Sequence, residues 1–122
     1  MKISVFGLGY VGCVTAGCLA SLGHKIIGVD IDPIKLELLS AGKPTITEPK
    51  ISELIERFVN DNTIEITDDY ESAVKNSEIS FICVGTPPRD NDELNLDAVF
   101  KVAKNIGKVI SSKSTFHIIC TR

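Results

Sequence analysis

The sequence predicts an α/β domain, a doubly wound parallel sheet with strand order 3-2-1-4-5, and three observations carry that expectation. Short apolar runs alternate with helix-periodic segments along the chain. A glycine pattern, Gly7-x-Gly9-x-x-Gly12, joins the first run to the first helical segment. An acid, Asp30, closes the second run, 18 residues past Gly12.

Each element follows from local pattern. Residues 2 to 6 read as the first strand and 10 to 22 as the first helix, which ends at Gly23 in a left-handed cap. The apolar spacing assigns Val11, Val14, Thr15, Cys18, Leu19 and Leu22 to its core stripe. The other side, Cys13, Ala16, Gly17 and Ala20, is small and uncharged. A helix without a polar face is covered on both sides, so this face is expected to pack closely on another element, one that absent chain would supply. The second strand, 25 to 29, leads to Asp32-Pro33, an N-cap followed by proline at the first helical position, and a helix to about Ser40.

An extended loop, 42 to 49, precedes a short helix marked by Ile51, Leu54, Ile55 and Phe58. A third strand at 63 to 66 and a helix at 69 to 76 follow. The fourth strand, 79 to 84, is continuously apolar, as in parallel sheets covered on both faces. A helix from Leu96 to about Ser111 turns Val99, Val102, Ala103, Ile106 and Ile110 inward. The fifth strand, 116 to 120, is where the sheet is expected to be truncated. Strands alternating with helices imply right-handed crossovers, and the binding crevice falls where the ends of strands 1 and 4 diverge.

The glycine pattern has the full context of a dinucleotide fingerprint in a Rossmann-type fold. Gly7 permits the sharp turn, Gly9 lets a pyrophosphate approach the backbone, and Gly12 lets helix and strand pack closely. Free N–H groups at the helix start would meet the phosphates. Asp30 is placed to accept from the hydroxyls of an adenosine ribose. Ile31 and Asp32 follow it rather than an arginine, so NAD is expected over NADP.

The net charge of -3 and the lack of a basic run argue against nucleic acid as a partner. No apolar run approaches a membrane span, and the N-terminal apolar stretch is accounted for as strand, turn and helix. Four cysteines, at 13, 18, 83 and 120, form no metal-ligand pattern. Cys83 and Cys120 read as buried strand thiols and Cys13 as a packing residue. A reducing, cytoplasmic location is expected.

Taken together, Phe6-Gly-Leu-Gly-Tyr-Val-Gly12, Gly28-Val-Asp30, Lys35, Gly42-Lys43, Glu48-Pro49 and Phe81-Ile-Cys-Val-Gly-Thr-Pro87 resemble the NAD-binding domain of nucleotide-sugar 6-dehydrogenases. The resemblance covers essentially all 122 residues. Ala16-Gly-Cys-Leu19, Gly23-His24 and Ile27-Gly-Val-Asp30 incline it toward enzymes of GDP-mannose rather than UDP-glucose. It implies pyrophosphate at the backbone of Tyr10 and Val11, the adenosine ribose at Asp30, the adenosine end at Lys35 and the nicotinamide half at Thr86. Without it, Lys35 reads equally as a solvated helix lysine and Thr86 as a turn hydroxyl.

The resemblance further implies oxidation of a sugar C6 alcohol to a carboxylate through a cysteine thiohemiacetal, in a homo-oligomeric full-length enzyme. Residues 1–122 would be an incomplete NAD-binding domain, with the central helix, the substrate domain and all catalytic residues outside it. Lys50 and Asp92 depart from the family pattern, which has glycine at both positions. Two other functions compete. A non-catalytic NAD sensor would keep the glycine turn and Asp30 but leaves Glu48-Pro49 and Phe81 to Pro87 unexplained. A short-chain oxidoreductase needs Tyr-x-x-x-Lys, yet Val14 and Val74 stand where Tyr10 and Tyr70 would need lysine.

Overall fold

The computed structural model describes residues 1–122. Strands β1 (Lys2–Phe6), β2 (Lys25–Val29), β3 (Ile64–Thr67), β4 (Ile79–Ile82) and β5 (Ile118–Thr121) form one sheet in the order β3-β2-β1-β4-β5. Every neighbouring pair is parallel, so order and sense agree with the sequence. Between them run α1 (Tyr10–Ser21), α2 (Pro33–Ser40), α3 (Pro49–Asn60), α4 (Tyr70–Lys75) and α5 (Asp97–Ile110).

Strand alternation sorts the core into two layers. Ile3, Val5, Ile26 and Ile64 meet Leu39 of α2 and Ile51, Ile55 and Phe58 of α3 on one face. On the other, Phe6, Ile27, Val29 and Ile82 meet Ala73 and Val74 of α4 and Ile106 and Val109 of α5.

Helix ends follow their local chemistry. Asp32 caps α2 by accepting from Ile34 N–H at 2.9 Å, with Pro33 at the first position. Past α1, Gly23 takes φ +88°, its N–H donates to Ala20 and His24 N–H donates back to Leu19. Those two bonds are a Schellman motif, which satisfies carbonyls the helix leaves open.

The sequence reading of α1 is corrected in part. Its small face is the deeply buried one: Cys13, Ala16, Gly17 and Ala20 are all shielded. The partner of that face is α3 of this same chain, and a Cβ on Gly17 would stand 3.5 Å from Leu54 Cβ. Of the stripe expected inward, Thr15 is buried and Val14 and Leu19 are half-buried, but Val11, Cys18 and Leu22 are exposed. Small side chains let α1 sit close to sheet and α3 at once, so the helix rolls its narrow side inward and its bulk outward.

Other corrections lie toward the second half. Ala103, expected inward, faces solvent, and Val109, which the apolar spacing did not single out, is buried. Cys83 is buried, but Cys120 is only half-buried, because β5 is an edge strand whose Ile118 and Ile119 are also exposed. Regular β4 stops at Ile82 and β5 begins only at Ile118.

Candidate cofactor site

The turn from β1 into α1 is shaped by three glycines with different reasons to be glycine. Gly7 holds φ +90°, and a Cβ there would lie 2.9 Å from the Val84 backbone. A Cβ on Gly12 would lie 1.8 Å from the Gly7 carbonyl oxygen. Internal packing therefore demands both. At Gly9 an added Cβ would meet no atom within 4 Å. Gly9 lines an open crevice, so its missing side chain leaves room for something outside the chain.

The helix that follows presents unpaired donors. The first bond into it is Cys13 N–H to the Gly9 carbonyl at 2.9 Å, and no side chain caps the end. The amides of Tyr10, Val11 and Gly12 thus have no acceptor in the chain. A helix start of this kind, with its partial positive charge, suits a phosphate.

Asp30 faces this turn from the end of β2 and is 8% exposed. Its Oδ2 accepts from Leu8 N–H at 2.7 Å, and its Oδ1 from Ile31 and Asp32 N–H at 2.8 and 3.0 Å. Lys35 Nζ stands 3.6 Å from Oδ2. Burial pushes the carboxyl pKa up, but the backbone donors from Asp32 and Leu8, with Lys35 and Ile31, outweigh it and hold Asp30 below the ordinary carboxylate value. Asp30 is therefore a fixed anion that also ties the glycine turn to β2. A carboxylate accepts about four hydrogen bonds, so three backbone donors leave it capacity for a ligand hydroxyl.

The crevice, about 410 Å³, gathers Gly7, Gly9, Asp30 and Lys35 of the expected residues. Tyr10 and Val11 are exposed beside it, and Thr86 lies one residue past Gly85, which lines it. The far wall holds residues that sequence reasoning did not single out: Tyr70 at the start of α4, and Lys101 and Asn105 of α5. Ala98, Lys101, Val102 and Asn105 recur at helical spacing, of which the apolar pattern singles out only Val102, as an inward residue.

Thiol chemistry is disfavoured here. Burial pushes the Cys83 thiol up, against a hydrogen bond with Thr15, and does the same at Cys13, against Thr45 and Lys35. Both are poor nucleophiles in that state. No three His, Cys, Asp or Glu side chains are grouped to hold a metal ion, and no helix is long and apolar enough to cross a membrane.

Residues 1–122 match the model of the UDP-glucose/GDP-mannose dehydrogenase family, NAD binding domain. The chain belongs to that family. It is 43% identical over 122 residues to GDP-mannose 6-dehydrogenase of Pseudomonas syringae pv. syringae, covering 100% of this chain and 28% of that protein. It is 42% identical over 120 residues to UDP-glucose 6-dehydrogenase TuaD of Bacillus subtilis strain 168, covering 93% of this chain and 26% of the relative. The crystal structure of a ternary complex of GDP-mannose dehydrogenase from Pseudomonas aeruginosa superposes with a TM-score of 0.97 at 43% identity, over 100% of this chain and 28% of that one. The chain spans little more than a quarter of the length of these relatives.

As the NAD binding domain of this dehydrogenase family, the chain has both of its departures from pattern accommodated. Asp92 takes φ +62°, the conformation a glycine would adopt there and one that Asp tolerates. Lys50 sits exposed in the first turn of α3, where a side chain is free to point into solvent.

Proposed function

We propose that this chain is the cofactor-holding part of an NAD-dependent nucleotide-sugar 6-dehydrogenase, with GDP-mannose as the sugar nucleotide. One observation carries the cofactor geometry: Gly9, with empty space where a side chain would stand, lines one crevice with the fixed carboxylate of Asp30, and three free helix amides follow Gly9 directly. Under this reading the amides of Tyr10, Val11 and Gly12 bind the pyrophosphate and Asp30 accepts from the adenosine ribose. Lys35 steadies Asp30 and the adenosine end, and Thr86 serves the nicotinamide half. Gly7 and Gly12 contribute by holding the turn open. NAD, when bound, supplies the hydride acceptor.

Support for the sugar comes from six GDP-mannose 6-dehydrogenases that are 40% to 43% identical over the whole chain. A UDP-glucose enzyme is the second reading, supported by the match to TuaD. The raised thiols of Cys13 and Cys83 favour a reactive cysteine outside residues 1–122; under this reading the substrate-binding residues and oligomer contacts lie with it in a further domain of a cytoplasmic enzyme.

Calorimetry of the chain with NAD and NADP tests the cofactor reading. Weak NAD binding, lost in Asp30→Ala, is expected. NADP binding tighter than NAD would overturn it, because a 2′-phosphate would stand against the Asp30 carboxylate.

A further inference from the structure

At the end of the sheet opposite the crevice lies a polar network that cofactor binding does not use. His117, in the connection into β5, places Nε2 at 2.8 Å from Ser80 Oγ of β4. Ser80 Oγ is 2.7 Å from Ser4 Oγ of β1, which also accepts from Ser77 Oγ at 3.0 Å. Ser4 Oγ lies 3.3 Å from the Ile79 carbonyl. One direction of donation satisfies every member: His117 Nε2–H to Ser80, Ser80 to Ser4, and Ser4 to Ile79. The other ring nitrogen, Nδ1, then carries a lone pair.

Two groups compete for that nitrogen. Lys113 Nζ is 2.9 Å from Nδ1, and it also donates to the Val74 carbonyl at 2.9 Å and to the Ser77 carbonyl. Three acceptors match the three donors of an ammonium, so Lys113 ties the α5–β5 connection to the end of α4 and to the following turn. The Ser77 carbonyl oxygen also lies 3.1 Å from Nδ1. That carbonyl is useful to Nδ1 only when Nδ1 bears a proton.

We propose that His117 and Lys113 form an acid-released latch on β5. At neutral pH Lys113 fills the Nδ1 lone pair and the latch is closed. On acidification a proton takes that place, Nδ1–H turns to the Ser77 carbonyl, and the adjacent ammonium is expelled by like charge. The charged group that acts on His117 is Lys113, from the α5–β5 connection; Glu78, just before β4, acts on Lys113. The neighbouring α4 and β1 present the Val74 carbonyl and the Ser4 hydroxyl. Burial first, then Lys113, hold the imidazole below its ordinary pKa, against the Ser77 carbonyl.

The sign follows from that direction. A histidine depressed in the folded state contributes stability above its unfolded pKa and loses it as pH falls from there toward the folded value. Proton NMR of the chain, which has only two histidines, reads the His117 midpoint directly. The midpoint should rise in Lys113→Met, and β5 amide protection relative to β1 should fall about tenfold below it in the parent and stay flat in His117→Gln. A midpoint unmoved by Lys113→Met, or β5 protection that does not respond to pH in the parent, overturns the proposal. The parent titration alone decides if either variant fails to fold.

Discussion

Two glycines three positions apart separate folding from binding. Gly12→Ala forces a Cβ to within 1.8 Å of the Gly7 carbonyl, so backbone must move. We expect a loss of about 2–4 kcal/mol, read as a lower thermal midpoint. Gly9→Ala meets no atom within 4 Å, so its midpoint should stay within about 0.5 kcal/mol of the parent while NAD affinity falls. Equal effects on both variants would remove the argument that Gly9 answers to a ligand. At Asp30, by contrast, one residue serves both ends. Its lowered pKa means its stabilisation is present above the ordinary carboxylate value and is lost as pH falls through the depressed one. Asp30→Asn should cost about 1–3 kcal/mol at neutral pH, because backbone donors at Leu8, Ile31 and Asp32 lose a charged acceptor. In acid the gap between variant and parent should close, and urea midpoints measured across pH would show it.

At the scale of the element, what was legible depended on whether the cause was local. Asp32-Pro33 and Gly23 announced their caps because a cap is decided by the few residues that make it. The orientation of α1 was not so decided. Its sequence offers a bulky face and a small one, both apolar, and the choice rests with α3, whose Ile51 and Leu54 lie against Gly17. Tertiary packing, not periodicity, chose the small face. Ala16 lies fully buried on that small face, in the core that α1 shares with the sheet and α3, so Ala16→Leu should overpack it and cost about 1–3 kcal/mol. Leu22→Ala, on the exposed face, should change stability by less than about 0.5 kcal/mol. Thermal melts that ranked the two the other way would restore the stripe read from sequence. The same limit explains the site: Gly7, Gly9, Gly12 and Asp30 form one local unit, whereas Tyr70, Lys101 and Asn105 join it only through the fold.

Across the whole molecule, the parallel sheet brings the ends of β1, β2 and β4 to one rim, and the crevice occupies only part of it. Gly9, Asp30, Lys35, Tyr70 and Lys101 all line that crevice, but Thr86 does not. The enclosed part is therefore the part that would receive the adenosine and pyrophosphate. The nicotinamide half, assigned to Thr86, would rest on the rim where half-buried Thr86 and exposed Pro87 offer little enclosing surface. Binding energy follows enclosed, well-paired contact rather than ligand size, so the nicotinamide riboside should add little here. ADP-ribose, which keeps the second ribose but lacks the nicotinamide ring, should bind this chain within about threefold of NAD, a difference under about 1 kcal/mol. Side-by-side calorimetry at one ionic strength measures this. NAD binding more than about tenfold tighter would mean that this chain already builds a nicotinamide pocket, and that the division of labour drawn from the crevice is wrong.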